Sequence, residues 1–361
     1  MQAPDYKQPW INSSWSDSIF ILSPPFVALL VVALFPAEFK NSSAMPLAYW
    51  VVLIVMIDVA HVYSTLYRTY FNPLEFKKQQ PVLVAIPIFC YIAGVILYAF
   101  DGLIFWRVLA YLAVYHFIRQ QYGFMRIYSR NQNEGKFAKQ IDTAVIYIAT
   151  IYPLVYWHFT SKRNFNWFVD GDFVIFHSTG ILSVSLVVYI LIITAYITKE
   201  IVQYIKTRKL NLPKTLIILG TLLSWYFGIV YYNGDIAFTT LNVVSHGIPY
   251  MALIWVYERK RFDKTQSVTS RIIRVTFSRY GITVFIGLII FFAYMEEGLW
   301  DGLVWKEHAA FFKPFAALPA ITTTWLLTLL VPLLSLPQST HYVLDGFIWK
   351  IKRSDNKLDF K

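Results

Sequence analysis

Ten apolar runs, each close to the length of one bilayer crossing, constrain the fold of this chain more than any motif in it. A hydrocarbon core of about 30 Å takes roughly 20 apolar residues wound as a helix. By that ruler the spans fall near residues 18–36, 45–67, 82–100, 102–118, 141–160, 177–198, 215–232, 235–257, 272–295 and 318–349. In lipid each backbone N–H and C=O must be satisfied within its own segment, and helices do this. The runs therefore predict an all-α polytopic integral membrane protein, a bundle of about ten transmembrane helices. The last run is too long for one straight crossing, and Pro332 and Pro337 are placed to kink it.

Composition agrees. Of 361 residues, 57% are hydrophobic and 15% charged, and mean hydropathy is +0.49; soluble domains carry roughly a quarter charged residues. No stretch between the runs supports a separate water-soluble core, so residues 1–361 read as a single transmembrane domain. Within it, 1–17 is an N-terminal interfacial segment and 350–361 a basic cytoplasmic tail. Met1–Trp15 has neither a basic n-region nor a small-residue cleavage site, so the first apolar run is kept as a mature helix.

The net charge of +11 sits between spans and not on one amphipathic face, so it orients the chain in a membrane and does not mark a nucleic-acid partner. The connections with Arg68, Lys77 and Lys78, then Arg119 to Lys139, Lys199 to Lys214 and Arg259 to Arg271 are basic. They alternate with connections at Asp101 and Asn233-Gly234-Asp235 that lack Lys and Arg, and with an acidic one holding Glu296, Glu297, Asp301 and Glu307. The positive-inside rule then places both termini in the cytoplasm, and the membrane is the inner one if the source is bacterial. Segments 131–135 and 164–172 carry turn-forming residues and read as loops. There is no fixed-period repeat and no Gly-rich phosphate loop. Cys90 is the only cysteine, which excludes an intrachain disulfide and a thiolate metal cluster.

Depth sorts the seven histidines. His158, His177 and His308 fall at the outer ends of helices, where an imidazole is satisfied by water or headgroups. His61, His116, His246 and His341 lie inside four different spans, all running from outside to inside. At 1.5 Å per residue, His61 and His116 come out about 20 Å from the outer boundary and His246 nearer 15 Å, with His341 deeper. An isolated helical histidine often only bonds a neighbour, but intramembrane ionisable groups are expensive and mark functional sites by default. Asp58 lies at i−3 from His61 and Asp345 at i+4 from His341, each on the face of its histidine. Histidine and carboxylate on facing helices compose a bundle metal site. The four histidines are the expected ligands. Asp58 and Asp345 are the expected catalytic carboxylates, either ligating or orienting an imidazole. Gln120, Asn242, Ser245 and Thr65 are the expected second layer, although Ser and Thr can equally bond their own i−4 carbonyls.

Four imidazoles with one or two carboxylates suit iron, zinc or copper, and not magnesium or calcium. Non-haem Fe(II) is the first choice, in a metal-dependent oxidoreductase or oxygenase acting on a lipid, fatty-acyl or isoprenoid substrate that enters from the bilayer. Membrane lipids are the other expected partners. In plan this resembles the membrane carotenoid-cleaving oxygenases, helical proteins with a His-bound iron in the bundle; the resemblance is one of architecture and not of local motif. Three alternatives stand beside it. Two histidine pairs can bind haem axially, intramembrane His and Asp can serve a proton-coupled transporter, and one His can act as base in a metal-free group transferase.

Overall fold

A computed structural model describes residues 7–39, 45–264, 270–278 and 281–349. The tail expected at 350–361, residues 1–6 of the expected interfacial segment, and part of the basic connection before Arg271 lie outside the described residues.

Among the described residues the chain is helical and contains no strand. The longer helices are α1 (Ser14–Leu22), α2 (Pro24–Leu34), α3 (Leu47–Arg68), α4 (Pro73–Phe100), α5 (Gly102–Tyr128), α6 (Lys136–Phe159), α7 (Thr179–Thr207) and α8 (Leu212–Tyr231). They continue as α9 (Asp235–Lys264), α10 (Arg271–Thr276), α11 (Gly281–Trp305), α12 (Thr324–Leu334) and α13 (Leu336–Ile348). Six of them, α3, α4, α5, α7, α8 and α11, are long and apolar enough to cross a membrane, and the pair α1 and α2, bent by 49°, makes a seventh if counted as one span. The chain is a multi-pass helical membrane protein.

Local chemistry sets the ends of these helices. Asn72, Asp101 and Asn211 cap α4, α5 and α8 by accepting from backbone N–H groups of the first turn, and Pro73 and Pro213 follow the caps at positions where a missing N–H costs nothing. The last run is broken near the prolines expected to kink it: α12, with Pro332 inside it, ends at Leu334, and α13 starts at Leu336 with Pro337 in its first turn. Several helices outrun their apolar cores. α4 begins at Pro73, α5 reaches Tyr128 and α7 reaches Thr207, so the basic stretches read as connections are largely helical and the true turns are short. Hydropathy marks where lipid ends, whereas a helix continues until a cap or breaker stops it. The loops expected at 131–135 and 164–172 are loops.

Burial separates lipid-facing helices from central ones. Only 11% of the apolar stretch of α7 and 17% of that of α4 is buried in protein, against 44% for α5 and 50% for α8. Central α9 packs against α2, α3, α5 and α8. Its approach to α3 depends on Gly247, where an added Cβ would stand 2.8 Å from Ile57 Cγ2 and 3.2 Å from its carbonyl oxygen. Val51–Val59 of α3, which contains Asp58, is wound as a π-helix, a wider turn that often accompanies functional sites.

Candidate metal centre

Four central helices each deliver one histidine to one point: α3 gives His61, α5 His116, α9 His246 and α13 His341. All four are essentially buried, at 2% exposure or less. One ring nitrogen from each lies within 4.8 Å of the others. The Nε2 atoms of His61 and His246 are 3.1 Å apart, as are those of His116 and His341. A metal ion with four imidazole ligands at about 2.0–2.1 Å separates tetrahedral donors by about 3.4 Å. The side chains therefore stand near ligating positions without backbone movement. His341, read from the sequence as deeper than the rest, lies level with them.

One turn further along every one of these helices stands a polar residue: Thr65, Gln120, Tyr250 and Asp345, each at i+4 from its histidine. All four helices run in the same direction, so these residues form a second layer about 6 Å beyond the first. Thr65 Oγ1 lies 2.7 Å from His341 Nδ1 and 3.1 Å from the Tyr250 hydroxyl. Tyr250 donates to Asp345 Oδ1 at 2.6 Å. Asp345 Oδ2 faces His116 Nδ1 at 3.5 Å, closer than Oδ1 comes to His341 Nδ1, at 3.9 Å. The carboxylate thus serves the histidine of another helix ahead of the one on its own. Gln120 donates to the His246 carbonyl at 2.9 Å, tying α5 to α9 and not touching a ring.

On the other side of the histidine layer, Asp58 Oδ1 lies 3.7 Å from His61 Nδ1. Asn242 donates to the Phe238 carbonyl, and Ser245 donates to the carbonyls of Leu241 and Asn242; neither has a bond to an imidazole. Phe117 stacks flat on His246, with centroids 3.5 Å apart and planes 8° apart, and fixes that ring. Phe117 carries no polar signal that a sequence reading can seize, whereas Tyr250 is one of the tyrosines, with Tyr63, Tyr115 and Tyr342, that the sequence places beside the candidate ligands.

Proton bookkeeping distinguishes two states of the cluster. Four neutral imidazoles without a cation make two Nε2 bonds, one for each 3.1 Å contact. In each pair one ring then carries its proton on Nδ1 and needs an acceptor there. The Nδ1 atoms of both His61 and His246 are buried without a hydrogen-bond partner, so that pair leaves one orphan whichever way it is arranged. With a cation at the centre all four Nε2 lone pairs are used and every Nδ1 carries a proton. Those of His61, His116 and His341 then face Asp58, Asp345 and Thr65, the usual arrangement around metal-bound histidine, while the Nδ1 of His246 has no partner in this state either.

Above the histidine layer a cavity of about 940 Å³ reaches from buried Phe117 and Asn242 and half-buried Asp58 and Gln338 to exposed Lys162 and Asp170. It opens between the connection at 160–178 and the one that follows α11 at 306–323. Glu296 and Glu297, read from the sequence as part of an outer connection, belong to α11, and Glu297 lines the cavity. Glu296 accepts from Tyr63 at 2.7 Å and from Gln338 at 3.4 Å. The loop wall is organised by Asp172, whose Oδ2 accepts from the backbone of Trp167, Phe168 and Val169 at 3.0, 2.6 and 3.2 Å. Burial pushes that carboxyl above the ordinary aspartate range. His308 packs at a tilt against Trp50 with centroids 4.2 Å apart, both lining the cavity, His158 lies 2.6 Å from the Val174 carbonyl, and His177 is exposed; none approaches the centre. The chain matches no protein family, and no curated protein and no solved structure is significantly similar to it.

Proposed function

We propose that this is a membrane-embedded metalloenzyme whose metal ion is held by His61, His116, His246 and His341. The observation that carries the reading is the convergence of one ring nitrogen from each of four buried histidines, on four helices, to within 4.8 Å of one another. Such convergence places four polar groups in a low-dielectric interior for no structural return unless something binds them. Imidazole without thiolate favours iron, copper or zinc, and non-haem Fe(II) in an oxidoreductase remains our first assignment. Haem fits poorly. A macrocycle held between His61 and His246 would have to occupy the space of the His116 and His341 rings, whose centroids lie 5.0 Å from His246 and 5.1 Å from His61 respectively.

Bound iron would supply dioxygen chemistry at the centre. The chain's own residues hold the ligands in position: Thr65 Oγ1 lies against His341 Nδ1 and Asp345 faces His116 Nδ1, Tyr250 fixes Asp345, and Asp58 stands between His61 and the cavity. Asp58 is therefore the carboxylate placed to meet a substrate, while Asp345, buried behind the ligands, orients them. The substrate is an organic molecule with an apolar body, accommodated by the aromatic walls of the cavity. We further propose ten crossings, with α6, α9 and the α12–α13 pair spanning as well, both termini in the cytoplasm and the cavity mouth on the opposite face. In a bacterium the membrane would be the inner one.

Anaerobic loading of detergent-purified protein with Fe(II), followed by nitric oxide, tests the assignment. An Fe–NO electron paramagnetic resonance signal without a Soret band, lost in His246→Ala, is expected. A Soret band supports haem instead. Metal-free protein that drives pH-dependent flux in liposomes, or modifies a lipid, supports the transporter or the transferase.

A further inference from the structure

The cavity above the histidines carries more information than its volume. Its carboxylates are Asp58, Asp170, Asp235, Glu297, Asp301 and Glu307, and its basic side chains are Lys162 and Arg163. Neither cation offsets the interior carboxylates. Lys162 is spent on Asp170 at 2.7 Å, with both side chains about two-thirds exposed at the rim. Arg163 is buried and turns its guanidinium onto the carbonyls of Ile229 and Tyr232 at 2.8 and 2.7 Å. Burial also lowers its affinity for its own proton. Among the described residues that line it, the interior therefore holds an excess of carboxylate with no Lys or Arg turned toward it.

Two further observations point to a ligand. Asp301 Oδ2 and Asn242 Oδ1 have no hydrogen-bond partner although the two residues are only 3% and 2% exposed, and both line the cavity. The walls between the carboxylates are indoles: Trp50, Trp106, Trp167, Trp300 and Trp305. Three of them form a cluster, with Trp300 stacked on Trp305 at 5.7 Å and Trp106 within 6.1 Å of both. A bare metal ion needs neither this volume nor these rings. Tryptophan faces beside carboxylates are how proteins hold ammonium groups, the ring quadrupole and the anions attracting the same charge.

We propose that this cavity binds an organic cation, an ammonium group on an apolar body, admitted from the side of the 160–178 and 306–323 connections and delivered toward the four histidines. The binding claim stands on the cavity alone; only the delivery to a reacting centre rests on the metalloenzyme reading. The ammonium sits among the indoles and Glu297, and the body extends toward Phe117 and Asn242 over the histidine layer.

Isothermal titration of the full chain in detergent tests this, with metal content measured on the same sample. Choline is compared with 3,3-dimethylbutan-1-ol, which has its shape and lacks its charge. Benzyltrimethylammonium adds a ring for the indoles. The cations are expected to bind at least about ten-fold tighter than the neutral isostere. Glu297→Gln should weaken the cations about five-fold or more and leave the isostere and the metal content unchanged. Glu307→Gln, at an exposed position, provides a second variant whose folding is not in question. Equal affinity for cation and isostere, no binding of either cation, or cation binding indifferent to both variants would overturn the proposal. The same Glu297-dependent heat with magnesium ions in place of the organic cations would also overturn it, making the cavity an ion route. Cation binding in protein without metal leaves this inference standing and removes the metalloenzyme reading.

Discussion

Two polar clusters are buried in this bundle, and they are built on opposite plans. In the first, Lys214, with no exposed side-chain surface, lies 3.1 Å from Asp142, 2.7 Å from Glu200 and 3.6 Å from Glu134. Lys199 joins it, pairing with Asp142 and lying 2.6 Å from Glu200. Every charge there faces an opposite one, and the cluster ties α6, α7 and α8 together. In the second, four imidazoles aim the same kind of atom at one another, and the Nδ1 atoms of two of them have no partner. Low dielectric strengthens a completed network and penalises an incomplete one. The ionic cluster pairs its charges internally, whereas the histidine cluster turns one ring nitrogen of each member toward a shared centre that could hold a cation. A cluster whose charges meet one another is architecture, and one whose ring nitrogens converge on a common point is a candidate site.

Removing a member should therefore affect the two clusters in different ways. The largest effect is expected at the centre: His61→Ala, His116→Ala, His246→Ala or His341→Ala should each lower bound metal from near one per chain to less than about a tenth of that, because three ligands in an open pocket hold a metal far less tightly. Thermal unfolding in detergent should show these variants still folded. Lys214→Met should do the reverse. It leaves buried Asp142 and Glu200 short of a partner at a cost of about 3–5 kcal/mol, seen as a lower melting temperature, while the folded fraction keeps its metal. Equal loss of metal and stability in both sets would erase the distinction.

Smaller changes sharpen it. Asp345→Asn removes the acceptor facing His116 and should weaken metal affinity by about 10–100-fold in competition with a chelator, with Thr65→Val weaker in effect. Gly247→Ala adds a methyl group 2.8 Å from Ile57 Cγ2, forcing α9 from α3 between His246 and His61. Metal affinity should fall roughly ten-fold despite better helix propensity, since overpacking strain of about 1–3 kcal/mol exceeds the gain. The smallest effect is electrostatic. Burial raises the Glu134 carboxyl, but Lys214 and Lys199 more than cancel this and hold it below the ordinary glutamate range. Its contribution is complete above the unfolded pKa and is lost as pH falls through the lowered one. Glu134→Gln should then be less stable than the parent by about 1 kcal/mol or less near neutrality, with the gap closing on acidification.

Much of the centre is legible in the residues. Spans of about 20 residues give depth at 1.5 Å per residue, and depth separates His61, His116, His246 and His341 from His158, His177 and His308. The parallel direction of four helices also puts every i+4 residue in one layer, which is how Thr65 and Asp345 come to serve the ligands. Partner choice is less legible. Asp345 turns to His116 on another helix, and Asn242 and Ser245 bond their own helix, because rotamers and helix rotation decide contacts that spacing leaves open. The cavity is not readable at all. Asp58, Trp106, Phe165 and Glu297 are distant in sequence, and only packing collects them around one volume.

X-ray absorption at the metal edge of protein purified in detergent measures the centre directly. About four nitrogen scatterers per metal at about 2.0–2.1 Å, with the multiple scattering of imidazole and near one metal per chain, is the expected spectrum. A protein that takes up no metal, or one whose spectrum is unchanged when His61 and His341 are replaced together by Ala, would contradict the assignment of the four histidines as ligands.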